Sequence, residues 1–398
     1  MAERLRVAMV GNGFMGAAHS QGWRVAPRFF DLPLQPTMDV LVGRNPSGVS
    51  AAAEKWGWSE SSVDWREVVQ RDDIDVIDVV TPGDSHAEIA IAALEAGKHV
   101  LCEKPLANST VEAEAMTRAA EAASARGIRS MLGFTYRRVP ATALARQLIA
   151  DGRIGEVRHL RASYLQDWLV DPAAPMTWRL EKDRAGSGAL GDIGAHAVDL
   201  AQYMTGLRLS EVSGVLETFI RRRPVSAGSS SGAIAGAASS EPATEFGEVT
   251  VDDLALFRGR FASGALGTFE ASRMATGRKN SLRIEISGSH GSIAFDLENL
   301  NALEFYDATE PTVEQGFKTI IVTEPEHPWV DAWWPAGHML GYEHGFANQA
   351  KDFVDAIAAG STPRPSFADG LHVQRVLDAV EHSSATDGAW VGVADGSD

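Results

Sequence analysis

Leu5 to Gly16 reads LRVAMVGNGFMG, and the architecture of the chain is built outward from it. Val7 to Val10 is a short apolar run without polar alternation, the pattern of a parallel strand buried on both faces. Gly11, Gly13 and Gly16 follow at once in G-x-G-x-x-G spacing. In such a turn the first glycine permits a tight reversal and the second lets the backbone approach a pyrophosphate. The third allows the next helix to pack closely. The helix predicted over 14–25 then points its N-terminal N–H groups at the phosphates. The motif alone also fits an ordinary glycine-rich turn; the elements after it distinguish the two readings.

Residues 27–37, rich in proline and aromatics, read as a loop, and 38–42 as the second strand. That strand ends Val42-Gly43-Arg44-Asn45. A NAD site usually has a carboxylate there for the ribose 2′-OH, whereas an arginine accommodates a 2′-phosphate. Arg44 therefore points to NADP over NAD, with a surface charge beside a turn as the plain alternative. A third strand over 74–80 ends in Thr81-Pro82, and a helix over 85–96 closes at Gly97. A fourth strand, 99–102, ends in Glu103-Lys104-Pro105. Ser109 and Glu112 form a capping box for a helix reaching residue 126, and 129–133 is the fifth strand. This alternation is a doubly wound α/β pattern, a Rossmann-type parallel sheet, whose ligands bind beyond the carboxyl ends of the strands.

From about residue 154 the pattern changes. Strand-like alternation over 156–165, 210–220, 251–261, 264–272, 281–287, 291–297, 302–306 and 318–323, joined by close turns, reads as a large, mostly antiparallel open sheet in an α+β domain. A helix over 189–205 interrupts it. Residues 226–244, rich in Ser, Ala and Gly, read as a flexible loop. Helices return at 345–359 and about 367–385 and can pack back on the first domain. The expected division is a dinucleotide-binding domain, 1–133, and a substrate-binding and oligomerisation domain, 134–398.

At 398 residues the chain suits two domains with a large core. Its single cysteine, Cys102, excludes an intrachain disulfide and fits a reducing cytoplasm. The first strand starts too near Met1 for a signal peptide, and no apolar run would span a bilayer. A formal net charge of −17 argues against general nucleic-acid binding. The triplet Arg221-Arg222-Arg223 reads as a solvated strand end.

Two constellations carry chemistry. Lys104, at a core strand tip and before a proline, is kept extended and can present its ammonium to a developing alkoxide; a surface lysine paired with Glu103 is the alternative. Asp192 and His196, in GDIGAHAVDL at 191–200, are four apart and share a face on a regular helix. Asp192 would sit in the first turn, where the dipole favours its charge, and His196 can exchange a proton near neutral pH. An N-cap aspartate and a core histidine is the other reading. No third ligand has convincing spacing, so no metal is expected.

Taken together, GNGFMG at 11–16, Glu103-Lys104-Pro105 within GKHVLCEKP, and GDIGAHAVDL resemble the Gfo/Idh/MocA oxidoreductases over nearly the whole chain. TYRR at 135–138, YLQDW at 164–168 and GSGALGDI at 186–193 look most like the levoglucosan and inositol dehydrogenase branch. The resemblance implies that Lys104, Asp192 and His196 are catalytic. His196 would take a proton from a sugar hydroxyl, Lys104 would stabilise the alkoxide, and Asp192 would position the substrate. It implies a cofactor set of Gly11, Asn12, Gly13, Phe14, Met15, Gly16, Gly43, Arg44, Thr81, Pro82, His86, Glu103 and Lys104. Tyr136, Arg137, Gln166, Trp168 and Arg179, polar or aromatic, would join Lys104, Asp192 and His196 in binding substrate.

The implied activity is NAD(P)-dependent oxidation of a secondary hydroxyl of a sugar, anhydrosugar, glycoside or cyclitol. A redox-neutral glycoside-cleaving enzyme and a non-catalytic dinucleotide sensor are the rivals. A homodimer or homotetramer through the antiparallel sheet is implied as well. Two departures stand out: Thr81-Pro82-Gly83-Asp84-Ser85-His86 lacks the family's frequent asparagine after the proline, and Gly43-Arg44 lacks the acidic residue of the NAD-using branch. Trp329, Trp333 and Trp334 form an aromatic loop that suits either a lid or a subunit contact.

Overall fold

The computed structural model describes residues 3–225 and 245–394; the serine-, alanine- and glycine-rich stretch 226–244 lies outside the described residues. In chain order the strands are β1 (Glu3–Val10), β2 (Leu34–Val42), β3 (Glu60–Ser62), β4 (Val76–Val79), β5 (His99–Cys102), β6 (Ser130–Leu132), β7 (Val157–Leu165), β8 (Leu209–Glu217), β9 (Arg222–Pro224), β10 (Phe246–Glu248), β11 (Leu254–Phe261), β12 (Leu266–Ser272), β13 (Ser281–Gly288), β14 (Gly291–Asp296), β15 (Ala302–Asp307), β16 (Lys318–Ile321) and β17 (Val391–Gly392). The helices are α1 (Phe14–Phe29), α2 (Pro46–Trp56), α3 (Trp65–Val69), α4 (His86–Glu95), α5 (Thr110–Ser124), α6 (Pro140–Ala150), α7 (Lys182–Ala185), α8 (Ala195–Thr205), α9 (Tyr342–Ala359) and α10 (Phe367–Ala385).

Two compact units result, one of Met1–Thr135 with Tyr342–Gln374, the other holding most of the remaining chain. The first unit's N-terminal segment ends at Thr135, and residues 342–374 join it. Within the first unit α9 lies on α1, where a side chain at Gly22 would strike the Phe346 carbonyl at 2.8 Å. That close approach, absent from any local pattern, returns the later segment to the first unit.

In the first unit a parallel sheet runs in the order β3-β2-β1-β4-β5-β6. Val7, Met9, Val76, Ile77 and Val79 are fully buried, as strands covered on both faces require. The order reverses between β1 and β4, so the turns after these strands border the ligand crevice such sheets provide. The region 27–37 is not a loop. Helix α1 continues through Pro27 to Phe29, because a proline in the last turn removes one bond only and Phe30 N–H still reaches Ala26 O at 3.0 Å. Strand β2 already pairs with β1 from Leu34; Pro36 is tolerated opposite Leu5 because β3 pairs only with Val40–Val42. Ser109 caps α5 as expected: Glu112 N–H donates to its Oγ at 3.3 Å, and its hydroxyl donates to the Glu112 carboxylate at 3.0 Å.

The second unit carries a mixed sheet ordered β16-β15-β14-β13-β7-β12-β11-β8-β17. All the described pairs are antiparallel except β7 with β12. On β11, Ala255, Phe257, Gly259 and Phe261 point inward and the residues between them outward. Phe257 stacks on Phe269 with ring centroids 4.7 Å apart; fully burying one such ring stabilises by roughly 1.5–3 kcal/mol. The helix expected over 189–205 is a π-helical turn, Leu190–Gly194, leading into α8. The arginine triplet is also corrected. Arg221 and Arg222 are exposed, but Arg223 is fully buried, its Nη1 and Nη2 donating to the Asp171 and Leu169 carbonyls at 2.8 and 2.6 Å. Among the described residues no helix is long and apolar enough to cross a membrane.

Candidate active site

The glycines of the first unit do what their spacing requires. Gly11 has φ +121°, and a side chain there would lie 2.8 Å from the Val80 carbonyl. A side chain at Gly16 would lie 2.5 Å from the Gly11 carbonyl, so α1 reaches the turn only because this position is bare. Gly13 has open space instead. It is the N-cap of α1, without a side-chain cap and with no acidic residue in the first turn. Uncapped N–H groups, an open backbone face and the positive end of the helix dipole together make a phosphate cradle. Phe14 is exposed and stacks near Tyr342, with centroids 6.4 Å apart, while Met15 is half-buried.

The Asn12 side chain lies against Gly43, at the end of β2; a side chain at 43 would meet its Oδ1 at 2.8 Å. Arg44 is exposed just beyond, and Asn45 accepts Gly48 N–H at 3.1 Å to start α2. At the end of β4, Thr81 Oγ1 accepts the Ser85 hydroxyl at 2.8 Å, while Pro82 is half-buried. His86 is buried, with one ring nitrogen 2.9 Å from Thr81 O and the other 2.9 Å from Pro105 O. It ties two strand-end loops together.

Glu103 makes a second such tie. Its carboxylate is buried, with Oε1 3.0 Å from His19 Nε2 and Oε2 accepting Lys104 N–H at 3.2 Å. His19 Nδ1 lies 2.9 Å from Asp78 Oδ2, which also accepts Trp23 Nε1–H at 2.7 Å. Burial opposes charge on His19, but the Asp78 and Glu103 carboxylates outweigh it and push its pKa up to about 10. An imidazolium clamped between two buried carboxylates thus fixes the strand end that presents Lys104. The Lys104–Pro105 peptide is cis. His19, Trp23 and Asp78 escaped the sequence reading. The signal available was an aspartate inside the apolar run Val76-Ile77-Asp78-Val79.

The second unit brings four expected substrate residues, Tyr136, Gln166, Trp168 and His196, into one cluster. The Tyr136 and Tyr164 hydroxyls are 2.8 Å apart, and Tyr164 donates to Asn280 Oδ1 at 2.7 Å. Gln166 Nε2 donates to the same oxygen at 2.8 Å, and Trp168 Nε1 donates to Gln166 Oε1 at 2.9 Å. His196 stands beside this chain, its ring centroid 4.7 Å from Tyr136 and 5.9 Å from Tyr164. Asp192 lies on the π-helical turn, so the regular four-residue stacking expected for Asp192 and His196 does not apply. Asp252 holds that turn by accepting the Gly188 and Leu190 N–H groups at 2.7 and 2.8 Å.

Asp192 Oδ2 lies 3.6 Å from Nη1 of the fully buried Arg273, which sequence reasoning missed. Arg179 is close enough to feel both: burial lowers its pKa, Asp192 raises it, and Arg273 lowers it. Arg137 goes elsewhere. Its Nε donates to Asp199 Oδ2 on α8 at 2.8 Å and its guanidinium lies 5.2 Å from the Tyr203 ring. Of the aromatic loop, Trp333 is buried and Trp334 exposed. Among the described residues no group of three or more His, Cys, Asp or Glu is arranged to hold a metal.

Known proteins share this sequence pattern and fold. Residues 5–129 match the oxidoreductase family with an NAD-binding Rossmann fold, and residues 142–294 match the GFO/IDH/MocA C-terminal domain. A levoglucosan dehydrogenase of Pseudarthrobacter phenanthrenivorans is 42% identical over 395 residues, 98% of each chain. The crystal structure of an oxidoreductase domain protein from Kribbella flavida superposes with a TM-score of 0.93 at 62% identity, covering 99% of this chain and all of that one. A levoglucosan dehydrogenase in complex with NADH and levoglucosan superposes with a TM-score of 0.91 at 41% identity, covering 99% of this chain and all of that one.

Proposed function

Because the chain belongs to the Gfo/Idh/MocA oxidoreductase family, we propose that it is an NAD-dependent dehydrogenase that oxidises a secondary hydroxyl of an anhydrosugar or related sugar or cyclitol to a ketone. The observation that carries this reading is the cluster around His196. There a histidine, two tyrosines, an amide and a tryptophan offer hydrogen bonds and flat faces, as a sugar requires, beside the Asp192 carboxylate. The levoglucosan dehydrogenase likeness favours an anhydrosugar within that class.

The bare turn at Gly11, Gly13 and Gly16 and the N-terminus of α1 would hold the pyrophosphate. NAD, when bound, supplies the hydride acceptor. His196 takes the hydroxyl proton, a task suited to an imidazole near neutral pH. Lys104 offers its ammonium to the developing alkoxide. Asp192 orients the sugar by accepting a hydroxyl proton in a hydrogen bond, and Tyr136, Gln166, Trp168 and Arg179 hold the rest of the ring.

The reading extends to NADP, because the exposed Arg44 follows β2 in a sequence, Gly43-Arg44-Asn45, that holds no carboxylate. It also extends to a homo-oligomer in the cytoplasm. Val215, Leu256 and Leu266 are exposed on one face of the second sheet, with Val215 directly opposite Leu256, and a second copy would cover them.

The test is absorbance at 340 nm with purified protein, NAD or NADP, and a panel of anhydrosugars, sugars and inositols. A rise confined to one sugar class is expected. Lys104→Ala should abolish that rise while cofactor still binds, and normal turnover by the variant would remove Lys104 from the mechanism.

A further inference from the structure

We propose that Arg273 is a positioning residue that keeps the Asp192 carboxylate ionised and oriented in the sugar-binding cluster, a role that rests on the dehydrogenase reading above. Arg273 directly follows β12, and its guanidinium is fully buried. Nη2 donates to the Asp252 carbonyl at 3.0 Å and Nη1 to the Arg179 carbonyl at 3.4 Å. Nε is buried without a hydrogen-bond partner among the described residues. A guanidinium cannot shed its proton to escape burial, so it persists only where carbonyls and an opposite charge compensate it. Asp192, with Oδ2 at 3.6 Å from Nη1, supplies that charge.

The pairing is asymmetric in a way that suits function. Arg273 is sealed, whereas the Asp192 side chain is 27% exposed. The carboxylate is thus held from within by Arg273 while part of the side chain stays exposed. The same guanidinium carbon lies 5.7 Å from the centre of the Trp168 ring, within range of a cation–π contact. Arg273 thus touches two of the side chains assigned to the sugar.

Other titratable and charged groups lie nearby. Arg179 also favours the carboxylate, but burial disfavours its own charge. His196 follows one turn later on α8. The Asp252 carboxyl accepts the Gly188 and Leu190 N–H groups, and burial pushes its pKa up, opposing a second negative charge beside Asp192. Arg223, buried at β9, is disfavoured by burial and by the charge of Arg273, and favoured by Asp253 and Asp171.

The experiment compares pH profiles of kcat/KM for the wild type, Arg273→Met, Arg273→Lys and Asp192→Asn. An opposite charge within about 4–6 Å lowers a carboxylate pKa by roughly 1–3 pH units. Protonation of His196, the proposed base, gives the first acid limb, and protonation of Asp192 a second, steeper one below it. That second limb should therefore move to higher pH by about one unit or more in Arg273→Met, should lie between the two in Arg273→Lys, and should be absent from Asp192→Asn, which keeps the first limb. A second limb at the same pH in wild type and Arg273→Met overturns the proposal, as does a loss equal at every pH. Should Arg273→Met not fold, the Lys variant decides by the same limb.

Thermal unfolding separates this inference from the reading beneath it. If the wild type oxidises no sugar, the dehydrogenase reading fails, and the pairing is judged by the melting temperatures of Arg273→Met, Asp192→Asn and the double variant. A double drop clearly smaller than the sum of the single drops upholds the pair; additive drops overturn it.

Discussion

Replacing His19 with glutamine should open the first unit and abolish a pH dependence that the wild type shows. The histidine bridges Asp78 and Glu103 at 2.9 and 3.0 Å in a site from which water is excluded. Removing one member of a buried ionic cluster costs about 3–5 kcal/mol, because the remaining charges stay buried. The titration gives a comparable figure. A pKa lifted from 6.5 to about 10 corresponds, at about 1.36 kcal/mol per pH unit, to about 5 kcal/mol. The folded-state pKa lies above the unfolded one. This stabilisation is therefore complete below about pH 6.5, declines above it, and is lost as pH rises through about 10.

Cys102 provides the assay. It is the sole cysteine, buried on β5, and burial first, then the charges of Glu103 and Asp78, push its thiol well up. It reacts only when the first unit opens. At pH 7.5, His19→Gln should raise the rate of thiol labelling by roughly 10²–10³-fold and lower Tm by about 10 °C, at roughly 2–4 °C per kcal/mol. The wild type should lose much of this advantage between pH 8 and 10.5, and the variant should lack that slope. A labelling rate within threefold of wild type, or equal pH slopes in the two proteins, would refute the reasoning.

Three further outcomes follow from the same structure. His196→Asn should slow turnover by roughly 10²-fold or more near pH 7 in stopped-flow absorbance, since general-base catalysis supplies about 10²–10⁴; an unchanged rate excludes it as the base. Arg44→Ala should weaken NADP binding more than NAD binding in calorimetric titration, and equal losses would refute a contact with the 2′-phosphate. Gly16→Ala would place a methyl 2.5 Å from the Gly11 carbonyl, so cofactor affinity should fall at least tenfold by the same titration, and retained affinity would contradict the turn's role.

Much of the first unit was legible because its signals are local. An apolar run, three spaced glycines and the turns after β2, β4 and β5 each declare themselves within a few residues. The strand alternation of the second sheet was legible for the same reason. What escaped depends on partners far along the chain. Arg223 looked solvated because a basic triplet normally is; its acceptors, the Leu169 and Asp171 carbonyls, belong to a loop long before it. The π-helical turn at Asp192 looked like an ordinary helix start because Asp252, which accepts its early N–H groups, comes much later. Glu103 and His86 were assigned to the cofactor from the family resemblance, which does not say which way a side chain turns. Whether a side chain at a strand end turns outward or into the protein is decided by what waits inside, here His19 and two backbone carbonyls. The short strands β3, β9, β10 and β17 carry too few residues to show a period.

The central claim is that this chain moves a hydride from a sugar carbon to NAD. The most direct measurement is an NMR spectrum of the cofactor after incubation with NAD and levoglucosan deuterated at its ring carbons. Deuterium at C4 of the reduced nicotinamide, in step with ketone formed, is the expected result. Sugar consumed while the cofactor remains as NAD would contradict the claim and identify redox-neutral cleavage instead.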